Sequence, residues 1–349
     1  MRKLVFAMLP LLLVVFLTTH SMAQLNRKSI KKNNKHLSHF KGKKQGFSKE
    51  KKYNALGVSV SALNYYGDIA PRPQRISTDI SFTRPAIGIN FIHRFGPRYS
   101  LQGQFMYGVL KGSDAESADP TGETSQYRYK RNLSFRNQMM ELSAVAVFDL
   151  FENQATYISR VKWTPYVYLG VAGFTNNPKA QAPATDLTGS PLAEAGKWVK
   201  LRTLGTEGQY STLDPTDVNF GIKPYKSLQI AIPFGFGARF RINEVLDLWA
   251  DLGFRYTFTD YIDDISKNYV GLEKLKSPLA QALSYRTNEI PGQPLNPVMT
   301  PSGIAVEAGY GSEYPSNVRG SKNDKDIYMV TSIRLSYIIG ATLHRAKFR

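Results

Sequence analysis

The chain has 349 residues, 42% of them hydrophobic, no cysteine and a formal net charge of +18. Without cysteine there is no lipid-attachment thiol, no disulfide framework and no thiolate nucleophile. The charge sits mainly at one end. Removing the +2 of Arg2 and Lys3 and the net +10 of Gln24–Lys52 leaves +6 for Tyr53–Arg349.

Arg2 and Lys3 precede an apolar run, Leu4 to Leu17, followed by Ser21-Met22-Ala23. This pattern predicts a signal peptide over 1–23, cleaved after Ala23, because the run is shorter than the roughly 17–25 residues of a spanning helix. Residues 24–52 carry eleven basic residues against Glu50, among them Arg27, Lys28, Lys31, Lys32, Lys35, Lys41, Lys43 and Lys44. So little apolar surface predicts a disordered basic tail. Export excludes nucleic acid as its partner. Ten of the eleven are lysines, compact point charges suited to a periplasmic partner, or to anionic lipid or glycan.

From Tyr53 onward the apolar residues recur with a period of two, which predicts strands. Leu56, Val58, Val60 and Ala62 mark strand one; Ile87, Ile89 and Phe91 strand two; Leu101, Phe105, Tyr107 and Val109 strand three. Met140, Leu142, Ala144, Ala146 and Phe148 oppose Glu141, Ser143 and Asp149 in strand four; Val167, Leu169 and Val171 oppose Tyr168, Gly170 and Ala172 in strand five. The clearest alternation is the hairpin Leu228–Phe258, where Leu228, Ile230, Ile232, Phe234, Phe236, Ala238 and Phe240 are followed by Leu246, Leu248, Ala250, Leu252, Phe254, Tyr256 and Phe258. An eighth strand runs from about Asp326 to Ile339. These two-faced runs exceed the 9–11 residues that a tilted strand needs to cross a bilayer, whereas sandwich strands average about 5–6. The prediction is all-β: an eight-stranded antiparallel transmembrane β-barrel over 53–349.

Short and long connections alternate, the longest being Thr175–Lys226 and Ile262–Lys325. That alternation places short turns and both termini in the periplasm and long loops outside the cell. The Pro, Gly, Asn and Ser content of the long loops argues against a second compact domain.

The inward set includes Glu141, Arg239, Asp251, Arg255 and Arg334, with Asn90, Gln102 and Gln104. An eight-stranded lumen is just wide enough to be filled by side chains, and buried charges must pair. The expected arrangement is a plugging ion-pair lattice, with a wet polar lumen as the alternative. Gly235 and Gly237 lie inside a strand, where small inward residues relieve crowding.

Catalysis is not expected. A Ser-His-acid arrangement needs a histidine near the external rim. The five are His20, His36, His39, His93 and His344, in the signal peptide, the tail, a turn and the C-terminus, with no metal-ligand spacing. Asp260, Asp263 and Asp264, at the outer end of strand seven, read as a solvated strand end or turn cap, with a divalent cation held by oxygen ligands as the alternative. No cofactor is implied.

Five strings read together: RNLSFRN (131–137), TPYVYLGVAGF (164–174), LGTEGQ (204–209), IPFGFGARF (232–240) and FRYTFTDYIDDIS (254–266). They resemble the outer-membrane barrel family of Bacteroidota that includes PorG, a component of the type IX protein secretion system. The resemblance covers most of Tyr53–Tyr337. It implies an outer-membrane barrel anchoring or scaffolding a periplasmic ring made of a lipoprotein and its partner, in protein export and gliding, without catalysis. The chain departs from the family in its long basic tail, its enlarged loop after strand seven, and the ten residues beyond the last strand. The competing function is a stand-alone structural or surface-binding barrel that works through its external loops.

Overall fold

A computed structural model describes residues 51–69, 82–122, 125–321 and 324–339. The signal peptide, the tail up to Glu50 and the final ten residues lie outside the described residues.

Twelve strands occur in chain order: β1 (Tyr53–Tyr66), β2 (Arg84–Arg94), β3 (Tyr99–Ser113), β4 (Ser134–Asp149), β5 (Trp163–Thr175), β6 (Pro178–Gln181), β7 (Trp198–Lys200), β8 (Leu228–Arg241), β9 (Leu246–Thr257), β10 (Pro297–Met299), β11 (Ala305–Glu307) and β12 (Ile327–Ile339). Eight of these form the barrel. Each of β1–β4 pairs antiparallel with the next, the ladder continues β5–β8–β9–β12, and β12 closes onto β1 from Asn54↔Ile339 to Tyr66↔Ile327. Closure leaves no open edge in the barrel wall.

The eight strands coincide with the eight predicted from alternation, with β1 to β4 running beyond the residues that signalled them and β9 and β12 one residue shorter. On β4 the parity is unbroken: Phe135, Asn137, Met139, Glu141, Ser143, Val145, Val147 and Asp149 are buried, while Met140, Leu142, Ala144 and Ala146 are exposed. Around the barrel the outward rows are exposed and apolar, including Leu56, Val58, Val60, Ile87, Ile89, Leu142, Leu169, Val171, Ile230, Phe236 and Ile333. Each large apolar side chain left in water forgoes roughly 1.5–3 kcal/mol, so this surface calls for lipid. Aromatic pairs fringe both ends: Phe95–Tyr99, Tyr99–Phe148 and Phe151–Trp163 at the short turns, Tyr256–Phe258 at the other. Aromatic girdles of this kind bound the apolar band of membrane barrels. Among the described residues no helix is long and apolar enough to cross a membrane.

The long loops are more ordered than their composition suggests, because each contributes apolar side chains to a shared packing. Strand β6 pairs with β4 above the barrel wall and β7 pairs with β6. Helix α1 (Asp114–Ser117), α2 (Gln126–Arg131), α3 (Leu201–Leu204) and α4 (Pro278–Ser284) join the β10–β11 hairpin. Val270, Leu272, Leu275, Ala280, Tyr285, Ile304, Val306 and Tyr310 form a core of their own. The described barrel strands and loops belong to one compact unit.

Glycines set how closely β5, β8 and β9 can carry large side chains inside. Tyr166 faces Gly237 and Tyr168 faces Gly235 across β5–β8, and Gly235 in turn faces Gly253 on β9. A Cβ on Gly253 would lie 1.8 Å from the Tyr168 hydroxyl, and one on Gly237 would lie 2.6 Å from the Tyr166 hydroxyl. Gly253→Ala should therefore destabilise the barrel by about 1–3 kcal/mol through overpacking. Adding Tyr168→Phe should recover part of the loss, as read from denaturant midpoints in lipid vesicles.

Candidate functional site

The inward rows meet in layers. At the short-turn end, Asp149 accepts from Arg94 Nη1 (2.6 Å) and Arg239 Nη2 (2.8 Å). Arg160, in the β4–β5 turn, donates to Asp247 (2.7 Å) and to the carbonyls of Tyr157, Asn243, Glu244 and Leu246. One guanidinium thereby staples two turns. Trp249 carries Arg239 on its ring at 5.1 Å and Arg334 at 5.6 Å, and its Nε1 donates to Ser336 Oγ (2.8 Å).

In the middle layer Arg334 bridges Asp251 (3.0 Å) and the Gln102 side-chain carbonyl (2.5 Å), and the Tyr166 hydroxyl donates to Asp251 (3.0 Å). Above it, Arg255 Nε donates to both oxygens of Glu141 (3.2 and 3.3 Å), and the Tyr328 hydroxyl donates to Oε2 (2.7 Å). The cavity bordered by Gln102, Gln104, Tyr168, Asp251, Arg255 and Arg334 holds about 10 Å³. That is about one water. An apolar layer follows, including Leu63, Met106, Leu110, Phe135, Met139, Phe174 and Val330.

The structure thus brings Glu141 to Arg255 and Asp251 to Arg334. Arg239 pairs with Asp149, which sequence reasoning had placed on the inward face of β4 but not in the lattice. Arg94 and Asp247 were likewise missed, although their strand parity signals them; Arg160 lies in a turn, where parity is silent.

The acidic motif is corrected. Asp260, Asp263 and Asp264 are not a solvated strand end: they are 4%, 1% and 0% exposed. Distant loops cover them and supply hydrogen-bond donors to Asp263 and Asp264. Asp263 accepts from the backbone N–H of Ile69 (3.3 Å) and Ile265 (3.0 Å). Asp264, at φ 73°, accepts from Thr206 (2.5 Å) and Tyr225 (2.7 Å). Asp326 accepts from the Tyr65 hydroxyl (2.6 Å) and the Ile262 N–H (2.8 Å). Glu207 accepts from the N–H groups of Ser266 and Lys267 and from Arg319 (3.1 Å). Arg131 holds Asp114 and donates to the carbonyls of Arg319 and Asp68. These bonds latch the loops across the mouth opposite the short turns. The cation alternative finds no support in the geometry: among the described residues no group of three or more His, Cys, Asp or Glu is arranged to hold a metal ion.

Three of the strings singled out in the sequence meet in this latch. Thr206 and Glu207 of LGTEGQ bind the 264–267 backbone or side chains, and Asn137 of RNLSFRN donates to the Ile262 carbonyl (3.0 Å). His93 lies at the other end, its Nδ1 2.6 Å from Asn54 Oδ1. The basic-tail residues from Arg27 to Lys44 lie outside the described residues.

A family model described as a domain of unknown function, DUF6089, matches residues 44–186. No curated protein matches the chain at a significant level. Among solved structures, the chain is similar to a major outer-membrane protein of Thermus thermophilus (11% identity, 82% of this chain and 99% of that one, TM-score 0.36). It is also similar to the attachment invasion locus protein Ail of Yersinia pestis, solved with the heparin analogue sucrose octasulfate (8%, 82% and 97%, TM-score 0.31). A third is Neisserial surface protein A (9%, 82% and 96%, TM-score 0.31). The fold rests on the closed strand ladder itself.

Breaking one half of a buried pair strands the other charge. Glu141→Ala should cost about 3–5 kcal/mol in vesicle unfolding, and Glu141→Met with Arg255→Met should restore most of it.

The latch carboxyls also make a pH prediction. Burial pushes Asp260 up to about 7, and Asp68 and Asp264 up to about 6, in Asp264 against the pull of Arg319. Burial raises Asp263 and Asp326 well above the usual carboxylate range, with neighbouring carboxylates adding to it. These groups bind more protons folded than unfolded, so their contribution is fully present below the unfolded value near 4, and that of Asp68, Asp260 and Asp264 is lost as pH rises through about 6–7. Hydrogen-exchange protection of 259–266, corrected for intrinsic rates, should be higher at pH 5 than at pH 8.

Proposed function

We propose that this chain is a sealed, non-catalytic barrel of a bacterial outer membrane, and that it anchors a periplasmic ring of lipoprotein and partner in the type IX protein secretion system. The observation that carries the first half is the combination of an apolar outer surface with a lumen filled by paired charges. Such a body holds position in lipid and passes nothing, which suits an anchor. The second half rests on the resemblance of the five strings, a step from likeness to role.

Strand β1 begins and β12 ends at the short-turn end of the barrel. In the proposed orientation this end faces the periplasm, and the basic tail beyond it supplies long-range attraction to a ring or to anionic lipid. No cofactor takes part. A second reading, a stand-alone surface binder, is favoured by the ordered external cap, which exposes Val218, Phe220 and Trp198. Its working face would be the opposite one.

Affinity capture of the tagged protein from gently extracted outer membranes separates the two. The anchor reading expects a ring lipoprotein and its periplasmic partner in near-stoichiometric amounts. A barrel recovered alone, from cells shown to hold intact rings, contradicts it.

A further inference from the structure

At the external end of the β8–β9 hairpin the apolar belt runs into a basic cleft. Leu228 and Phe258, which end the outward rows there, are 67% and 56% exposed. Directly above, Lys226, Lys267 and Lys325 line a cleft of about 330 Å³ with Tyr225, Tyr261 and Phe258. A neighbouring cleft of about 410 Å³ shares Tyr261 and Lys267 and adds Lys223. The floor is stiff: the rings of Tyr225 and Tyr261 stack at 4.7 Å and 9°, and the Tyr225 hydroxyl is tied to Asp264.

Four lysines share this small area, and among the described residues none of them forms a salt bridge. The acidic lining residue of the first cleft, Asp260, is buried at 4% exposed, and Lys325 acts on its carboxylate. Burial pushes its carboxyl up to about 7, which lowers the negative charge it presents. Unpaired positive charge above exposed hydrocarbon is complementary to an amphiphile with an anionic head: acyl chains lie along Leu228 and Phe258 while ammonium groups meet phosphate oxygens.

We propose that this cleft binds the phosphate-bearing headgroup of a lipid in the external leaflet. The inference rests on the membrane-spanning reading and is independent of the secretion role. Lysines suit the site because a phosphomonoester can be met as a point charge from several directions, without the fixed fork of arginine.

The test uses the full mature chain in nanodiscs of phosphatidylcholine, with or without diphosphorylated lipid A, and native mass spectrometry of lipid retained after release. The wild type should retain lipid A over phosphatidylcholine. Lys226→Gln/Lys267→Gln/Lys325→Gln should lower its retention by about a hundredfold, at roughly fivefold for each lysine. Lys162→Gln/Lys197→Gln/Lys200→Gln, on other surfaces, should leave retention unchanged. Should the first variant fail to fold, hydrogen exchange of the wild type decides: lipid A should protect 223–229 and 259–267. Undiminished retention in the folded variant overturns the proposal, as does absence of that protection. Equal occupancy by inorganic phosphate alone assigns a free-anion site and overturns the lipid source. Failure of the chain to enter nanodiscs at all contradicts the membrane reading instead.

Discussion

Closing eight strands fixes a lumen so narrow that it must be filled, and whatever fills it is removed from water. Every inward charge then needs a partner within hydrogen-bond reach, since an unpaired buried ion costs several kcal/mol. The described lumen meets this demand with Asp149 between two arginines, Asp247 with Arg160, Asp251 with Arg334, and Glu141 with Arg255. The glycines follow from the same constraint. Tyr166 and Tyr168 can reach towards Asp251 only because the facing positions on β8 and β9 carry no side chain.

The long-loop mouth repeats the logic with loops in place of strands. Above the apolar layer, carboxylates from four segments accept donors from backbone N–H groups, tyrosines and arginines of others. Their burial makes the latch a region in which protonation within the ordinary pH range alters stability. A filled lumen and a latched mouth together leave the outer surfaces and the two ends for contact with partners.

Much of this was legible in the sequence, for a physical reason. A strand between lipid and a packed lumen has two unlike faces, so its parity is written in every second residue, and Glu141, Asp251, Arg255 and Arg334 fall on the buried parity of their strands. What parity could not supply was partner choice: Arg239 meets Asp149 from a strand ninety residues earlier in the chain. The burial of Asp260, Asp263 and Asp264 was illegible because their cover comes from Tyr65, Thr206, Glu207 and Arg319, brought together only by closure of the barrel. Strands β6, β7, β10 and β11 span only three or four residues, too few for a period to register.

The central claim is that the barrel is sealed. Single-channel recording across a planar bilayer, with the purified full-length mature protein inserted and its insertion verified, tests it most directly. The ion-paired lumen predicts a silent membrane over the usual voltage range. A steady ohmic current on the scale of an open porin would contradict the account.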